Sequence, residues 1–174
     1  ALTLLLVANY DVIKRYRETT SGHFHQYVGE QIYGKTLGIV GFGWIGQRLA
    51  RLVREYDMRI LAYDPYPNPQ AAFALDAEYV SLDELLENSD FVSVHIPGMP
   101  ENYHLFDDCT FSKMKRGAHF INTSRGTNVD EAALYRALVS GHLKSAAVDV
   151  MEGEGEGKTS PLYTLDNFCV LPHT

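Results

Sequence analysis

Arg125, Glu154 and His173 are residue types that together can handle a carboxylate and a proton. A guanidinium binds a carboxylate through two parallel hydrogen bonds and polarises a neighbouring carbonyl. A histidine paired with a carboxylate acts as an acid and a base near neutral pH. Next to a nicotinamide, such a set would interconvert a 2-oxo acid and a 2-hydroxy acid. The alternatives are a surface salt bridge for Arg125, a solvated loop charge for Glu154 and a helix or loop cap for His173.

The segment from Leu37 to Gly46 predicts a site for the phosphates of a dinucleotide. An apolar run precedes Gly41, Gly43 and Gly46 in the pattern G-x-G-x-x-G, and a helical pattern follows. These glycines permit a tight turn, a close approach of backbone to pyrophosphate, and close packing of helix on strand. The helix start offers unpaired N–H groups. Asp64 ends the next apolar strand, at about the 20-residue distance expected for the acid that binds a ribose. The alternative is a tight turn without a ligand.

Strands and helices alternate along the chain from Thr36 onward, which predicts a parallel sheet covered on both faces. We expect an α/β fold of Rossmann type, a doubly wound parallel sheet in three layers (α/β/α) forming a single domain. The predicted strands are Thr36–Val40, Arg59–Tyr63, Phe91–His95, Ala118–Asn122, Ser145–Asp149 and Phe168–Leu171, and the predicted helices are Ile45–Tyr56, Ser81–Glu87, Asp107–Lys115 and Asp130–Ser140. A proline-rich loop is expected after Asp64, and Gly141 should follow the last helix as its cap.

The first 34 residues are expected to be a helix followed by a connector. Apolar residues at steps of three and four predict one helix over the first twenty residues, whose apolar stripe covers the sheet edge or meets another chain. Residues 20 to 35 show no clear period and include His23 and His25. Because no Cys or carboxylate lies at ligand spacing, we interpret these histidines as part of a solvated loop, and we expect no metal site.

Polar residues follow the predicted strands, and the carboxyl ends of parallel strands meet at one edge of the sheet, outside which ligands bind. The residues expected at this edge are Asp64, His95, Pro97, Thr123, Ser124, Arg125, Asp149, Glu154 and His173. Residues scattered at random over a surface would not favour strand ends so consistently. The sequence therefore predicts a binding or catalytic edge.

The composition is that of a globular chain with an acidic balance. Its 174 residues carry a net charge of −7 and no Lys/Arg run, which argues against nucleic acid or an anionic membrane as partner. Cys109 and Cys169 are too few for a disulfide framework and lie within apolar patterns, so we expect two buried thiols in a reducing cytoplasm. The apolar N-terminal run lacks the basic start and cleavage site of a signal peptide.

Together these motifs resemble the D-isomer-specific 2-hydroxyacid dehydrogenases, from about residue 1 to the end. The resemblance is carried by Leu37–Gly46, His95-Ile96-Pro97, Ile121–Gly126, Val129-Asp130-Glu131, Ala147–Val150 and Leu171-Pro172-His173. It implies that Arg125 binds the substrate carboxylate, that His173 is the general acid and base, and that Glu154 is its partner. It also implies NAD as the cofactor, with Asp64 on the adenosine ribose and Asp149 near the nicotinamide carboxamide. The first helix would form a homodimer.

The further positions that we expect to contact NAD are Gly41, Gly43, Trp44, Ile45, Gly46, His95, Pro97, Thr123, Ser124, Arg125 and His173. Two of the departures from the family pattern fall on the candidate site. Trp44 stands where the family often has arginine, and Gly155 where the residue after the glutamate is usually proline. The glycines around Glu154 make its loop more flexible and its orientation less certain.

The third departure is the extent of the chain. It begins about where the nucleotide domain of the family begins and stops one residue after His173, so we expect the substrate domain to be absent and the isolated chain to turn over little substrate. The main alternative is a non-catalytic, dinucleotide-sensing module that dimerises, like a corepressor. A formate dehydrogenase is a further alternative, but it would carry glutamine in place of His173.

Overall fold

The computed structural model describes residues 1–173, which form one seven-stranded parallel sheet with helices on both faces. The strand order is β3-β2-β1-β4-β5-β6-β7, and every neighbouring pair is parallel. The strands are β1 Thr36–Val40, β2 Arg59–Tyr63, β3 Ala77–Tyr79, β4 Phe91–Val94, β5 His119–Asn122, β6 Ser145–Val148 and β7 Phe168–Val170. The order reverses between β1 and β4, and this reversal is where doubly wound folds bind ligands. The expected fold class is confirmed.

The helices are α1 Leu2–Asn9, α2 Val12–Thr20, α3 Trp44–Leu52, α4 Pro69–Ala74, α5 Leu82–Asn88, α6 Asp108–Lys113 and α7 Glu131–Val139. Short 3-10 turns lie at Arg54–Tyr56, Pro100–Asn102, Gly126–Asn128 and Pro161–Thr164. The Ser81 hydroxyl accepts a hydrogen bond from the Glu84 N–H at 3.2 Å, as expected for the cap of α5. Gly141 has φ +67 and follows α7 directly after its cap residue, as its position in the sequence predicts.

Alternating residues of the strands fill two cores, one on each face of the sheet. Leu37 and Ile39 of β1 lie in the core that α1, α3 and α4 cover, while Val40 lies in the core beneath α5, α6 and α7. This period of two places neighbouring apolar residues on opposite faces of a strand. Gly38 allows α5 to pack directly on β1, because a β-carbon there would lie 2.5 Å from Leu85 Cδ2. The central strands are thus buried on both faces.

The N-terminal region differs from the prediction of one helix over the first twenty residues. The helix breaks at Asp11, which takes the left-handed conformation with φ 48, a conformation that Asp tolerates better than most residues. Leu4, Leu5 and Ala8 of α1 are buried against the sheet, whereas α2 buries no residue. The apolar stripe of the first helix therefore covers the chain's own sheet, next to β5, β6 and β7.

Further differences from the prediction lie between Asp64 and Ser81 and at the end of α3. The expected proline-rich loop contains α4, which begins at Pro69 and is capped by the Asn68 side chain at 3.1 Å from the Ala71 N–H. Proline suits the first turn of a helix because the missing N–H would have no partner there. The short edge strand β3 follows and pairs with β2. The helix predicted over Ile45–Tyr56 ends at Leu52 and continues as a 3-10 turn.

The expectation of two buried thiols is wrong. Cys109 is exposed, because α6 turns Phe111 and not Cys109 toward the core, and Cys169 is half-buried in the edge strand β7. Both are free thiols. Of the helices in the described part of the chain, none combines the length and the apolar character needed to cross a bilayer.

Candidate active site

The glycine loop, residues 41–46, joins β1 to α3 and includes the first residues of α3, and it lies at the reversal of the strand order. Gly41 has φ +96, and a β-carbon there would lie 2.8 Å from the carbonyl carbon of His95, so only glycine fits. A β-carbon on Gly46 would lie 2.4 Å from the Gly41 carbonyl oxygen. These two glycines let β1, β4 and α3 approach one another closely.

The N-terminus of α3 has the features of a phosphate site. Gly43 is its cap residue, and no side chain caps the helix. A β-carbon on Gly43 would meet nothing within 4 Å, so the space beside it is open. Trp44 is 94% exposed and Ile45 is 61% exposed, which leaves the helix start uncovered. Backbone N–H groups at a helix start attract anions, and the loop therefore fits a pyrophosphate.

Asp64 follows β2 beside the glycine loop. Its Oδ2 accepts a hydrogen bond from the Phe42 N–H at 2.9 Å, and its Oδ1 accepts one from the Tyr66 N–H at 2.9 Å. The half-buried carboxylate is thus oriented by two backbone groups. Each oxygen has a further lone pair, so the group can still accept hydrogen bonds from a ribose.

His95 and Thr123 form a polar wall after β4 and β5. His95 Nε2 lies 2.9 Å from Ser93 Oγ, and His95 Nδ1 lies 3.5 Å from Thr123 Oγ1. Burial lowers the pKa of His95 to about 4. The ring is therefore neutral at physiological pH and adds no charge beside the glycine loop. Pro97, two residues further on, is exposed.

A buried amide and hydroxyl network holds the backbone that carries Arg125. Asn122 Oδ1 accepts hydrogen bonds from the Ser124 N–H at 3.0 Å and from Ser124 Oγ at 2.7 Å. Asn122 Nδ2 donates to the Arg125 carbonyl at 3.0 Å, and Asn128 Nδ2 donates to Ser124 Oγ at 3.0 Å. Arg125 itself is exposed, and its Nη1 donates to the Ser124 carbonyl at 2.6 Å. The guanidinium thus sits on a rigid base with other donors still available.

Gly126 brings the Arg125 segment against the residues that follow β6. A β-carbon on Gly126 would lie 2.1 Å from the carbonyl carbon of Met151 and 2.2 Å from the Glu152 nitrogen. This contact joins Arg125 to the glutamate loop, residues 151–160, which contains Glu154. Arg125 is close enough to help lower the pKa of Glu154.

Glu154 and His173 form a hydrogen-bonded pair. His173 Nδ1 lies 2.5 Å from Glu154 Oε1, and the other Glu154 oxygen accepts from the Met151 N–H at 3.1 Å. Burial by itself would raise the pKa of Glu154, but the Met151 N–H and His173 together hold it below its usual value. The His173 side chain is 53% exposed, and with Nδ1 turned to Glu154 its Nε2 is the nitrogen left for a substrate. The pair can therefore deliver a proton.

A cavity of about 490 Å³ adjoins this pair. Besides Glu154 and His173, its lining includes Met151, Lys158, Tyr163 and Leu171. Asp149, at the end of β6, has a buried Oδ1 without a hydrogen-bond partner among the described residues, and burial raises the pKa of its carboxyl group. A buried acceptor of this kind needs a donor. The carboxamide of a nicotinamide would supply one.

The residues expected at one edge of the sheet do lie at the carboxyl ends of the strands. Asp149 directly follows β6, and Glu154, five residues further on, is hydrogen-bonded to His173. Several residues that support the site were not predicted from the sequence. Asn128 is fully buried, and His104 Nε2 lies 3.0 Å from Glu152 Oε2 with the Tyr103 ring stacked on it at 3.9 Å. No local pattern marks these contacts, since they join residues up to 48 positions apart.

His23 and His25 are exposed in the connector. Across residues 1–173, no three His, Cys, Asp or Glu side chains are grouped so as to hold a metal ion.

The fold and the glycine loop define a dinucleotide-binding domain, and comparison with known proteins identifies its family. Residues 2–174 match the family described as D-isomer specific 2-hydroxyacid dehydrogenase, NAD binding domain. The chain therefore belongs to this family as its NAD-binding domain.

Three relatives illustrate the range of the family. The chain is 41% identical to a glyoxylate reductase of Korarchaeum cryptofilum, covering 99% of this chain and 54% of that protein. It is 43% identical to a D-3-phosphoglycerate dehydrogenase of Mycobacterium tuberculosis, covering 83% of this chain and 27% of that one. The structure of D-lactate dehydrogenase with NAD+ from Lactobacillus jensenii superposes with a TM-score of 0.88 at 27% identity, covering 99% and 56% of the two chains. The chain spans about half the length of the first and third of these relatives, and less of the second.

Proposed function

We propose that the protein carrying this domain transfers a hydride between NAD(H) and a 2-hydroxy acid/2-oxo acid pair. The observation that carries the proposal is the 2.5 Å contact between His173 Nδ1 and Glu154 Oε1 at the edge where the glycine loop lies. Bound NADH supplies the hydride. In the reduction direction the carbonyl carbon receives the hydride and the carbonyl oxygen receives a proton from His173 Nε2.

Arg125 and Glu154 prepare this step in different ways. The Arg125 guanidinium binds the substrate carboxylate and so fixes which carbon faces the cofactor. Glu154 holds the His173 ring through Nδ1 and so leaves Nε2 for the carbonyl oxygen of the substrate. Both roles rest on the family resemblance and on the contacts of these side chains in the fold.

For the cofactor we propose contacts along the whole carboxyl edge. Gly41, Gly43 and Gly46, with the backbone of Trp44 and Ile45, bind the pyrophosphate, and Asp64 binds the adenosine ribose. His95, Pro97, Thr123, Ser124 and Arg125 would line the path toward a bound nicotinamide, where Asp149 would accept a hydrogen bond from the carboxamide and His173 would lie beside the ring. The open space at Gly43 and the unpartnered Asp149 Oδ1 support this placement.

We infer a homodimer formed through the N-terminal helical region, supported by the exposed Tyr16 of α2 and Phe24 of the connector, at 68% and 81% exposure. We also infer a cytoplasmic location, and neither nucleic acid nor a membrane as partner. Light scattering of the chain with and without NADH tests the dimer, and a monomer at all concentrations would contradict it. The same measurement addresses the sensor alternative, which no observation favours and which requires that NADH change the oligomeric state.

Calorimetry and turnover test the proposed function. The 174-residue chain should bind NADH more tightly than NADPH, because Asp64 repels a 2′-phosphate. The protein that carries this domain should oxidise NADH with glyoxylate, pyruvate or hydroxypyruvate, and not with acetaldehyde, which lacks the carboxylate that Arg125 binds. Equal rates with acetaldehyde, or no NADH binding at millimolar concentration, would contradict the proposal.

A further inference from the structure

The glutamate loop carries a side chain that must be held accurately on a flexible backbone. Gly153, Gly155 and Gly157 have φ values of +63, +155 and +78, and a β-carbon on any of them would meet nothing within 4 Å. Glycine-rich segments of this kind lose much conformational entropy when they are ordered. Contacts from outside the loop must therefore keep Glu154 next to His173.

Glu131 makes three such contacts, on both sides of Glu154. Its Oε1 accepts hydrogen bonds from the Glu152 N–H at 2.9 Å and from Lys158 Nζ at 3.2 Å, and its Oε2 accepts one from Ser160 Oγ at 3.3 Å. Lys158 Nζ also donates to the Glu152 carbonyl oxygen, which joins the two sides of the loop. One carboxylate thus closes the loop at its base.

The Glu131–Lys158 ion pair is partly shielded from water. The two side chains are 20% and 22% exposed, whereas most of the other ion pairs include a side chain that is more than half exposed. Charge pairs that are partly buried are screened less by salt than surface pairs. This ion pair can therefore offset more of the conformational entropy that the glycines lose on ordering than a surface pair could.

Glu131 is itself fixed by the core. It is the first residue of α7, and the side chain of Asp130 caps that helix at 2.9 Å from the Ala132 N–H. The helix buries Ala133, Leu134, Ala137 and Leu138. Glu131 therefore anchors the glutamate loop to a rigid helix.

One turn of backbone connects Glu152, which Glu131 holds, to the side chain of Glu154. The Glu154 N–H donates to the Met151 carbonyl at 3.3 Å, and the Met151 N–H donates to Glu154 Oε2 at 3.1 Å. We propose that Glu131 is a positioning residue that holds the Glu154 carboxylate against His173. This inference rests on the proposed function, in which that pair handles the proton.

The test uses the 174-residue chain with carbon-13 at the glutamate carboxyl groups and nitrogen-15 in the histidines. Two signals are followed by NMR as the pH is varied: the Glu154 carboxyl carbon and the proton shared between His173 Nδ1 and Glu154. The variants are Glu131→Ala, Glu131→Gln and Lys158→Met. Glu156→Gln is the matched control, since Glu156 is an exposed glutamate in the same loop. NADH affinity and unfolding temperature are measured for each variant.

In Glu131→Ala the Glu154 titration should shift upward, because its pKa is held down by the Met151 N–H and His173, and both contacts loosen with the loop. The shared proton signal should be lost. In Glu131→Gln the amide can still hydrogen-bond to the loop, so most of the shared proton signal that Glu131→Ala loses should remain. Glu156→Gln should give the same two signals as the unchanged chain. NADH affinity should stay within about twofold throughout, since none of the substituted residues is a proposed NADH contact.

Each of the other outcomes contradicts the positioning role of Glu131, the proposed function, or both. If Glu131→Ala leaves both Glu154 signals unchanged while NADH still binds, the positioning role is wrong and the proposed function stands. If Glu131→Ala does not fold, Lys158→Met decides: it cuts the ion pair from the loop side, and unchanged Glu154 signals there overturn the proposal. If the unchanged chain lacks the shared proton signal, the Glu154–His173 pair fails, and with it both proposals.

Discussion

The glycine loop and the glutamate loop lie on the same edge of the sheet, but the chain holds them in different ways. Residues 41–46 are fixed by backbone packing, with β-carbon positions at Gly41 and Gly46 blocked at 2.8 Å and 2.4 Å. Residues 151–160 have three glycines in open space and are held by side chains of other elements, namely Glu131 and His104.

This difference follows from what each loop is proposed to bind. A pyrophosphate is bound by backbone N–H groups, which must approach it closely on a rigid backbone and need no side chain. A proton is moved by side chains, whose alignment must be accurate but whose backbone need not be tight. Mutations at the closely packed Gly41 and Gly46 of the first loop should therefore act on folding and cofactor affinity together, while mutations in the second loop should act on the His173 pair with little effect on stability.

The largest effect is expected for Gly46→Ala. Its methyl group would lie 2.4 Å from the Gly41 carbonyl oxygen and 2.8 Å from Ile39 Cγ2, both fixed in the sheet region. We expect the free energy of unfolding to fall by about 3 kcal/mol, as for overpacked cores, and NADH binding to be lost. Urea denaturation and calorimetry measure the two effects.

Gly43→Ala is the matched control, because its methyl group enters open space and its φ of −76 suits any residue. Its free energy of unfolding should change by no more than about 1 kcal/mol, while NADH affinity falls about tenfold or more. NADH affinity equal to that of the unchanged chain would show that no phosphate approaches Gly43.

The next effect in size is acid sensitivity at His95, beside the glycine loop. Its folded pKa of about 4 lies below the ordinary 6.5, so the unfolded chain binds more protons between these values. Stability from this group is complete above about pH 6.5 and is lost as the pH falls toward 4, by at most about 3 kcal/mol. His95→Gln should flatten the rise of unfolding free energy with pH over that window. A slope unaffected by His95→Gln would contradict the prediction.

The sequence was sufficient where a structure is encoded by nearby residues. The glycine spacing and Asp64 predicted β1, α3 and β2, because a tight turn and its acid lie on one short segment. The proline run hid α4 and β3, since prolines at residues 65, 67 and 69 favour a loop locally and only Pro69 begins a helix. The Glu131 contacts with residues 152–160 depend on the packing of α7, and the buried Asn128 donates from Nδ2 to the Ile96 carbonyl and to Ser124 Oγ. Spacing along the chain cannot reveal such contacts.

Asp64→Asn tests the proposed ribose site with a smaller change. The amide loses the charge that strengthens the hydrogen bonds from the Phe42 and Tyr66 N–H groups, each 2.9 Å long, and weakens the bonds to a ribose. Hydrogen bonds to charged groups contribute about 1.5–3 kcal/mol, so NADH should bind about tenfold more weakly. NADPH should lose less, because the repulsion of its 2′-phosphate is also removed. Asp57→Asn, at the opposite end of β2, should change neither affinity; equal losses for both cofactors would argue against Asp64 as the selective group.

The smallest effect on the free energy of unfolding is expected for Glu154→Gln, in the glutamate loop. Since the pKa of Glu154 is lowered in the fold, its contribution to stability is present above its unfolded pKa and is lost as the pH falls through the folded value. The side chain is 43% exposed, so solvent screening limits this contribution to less than about 1 kcal/mol. Glu154→Gln should therefore remove only a shallow acid slope from the free energy of unfolding, Glu156→Gln should keep that slope, and both should bind NADH as before. A loss of stability as large as that of Gly46→Ala would mean that the glutamate loop is part of the folding core, and the contrast between the two loops would fail.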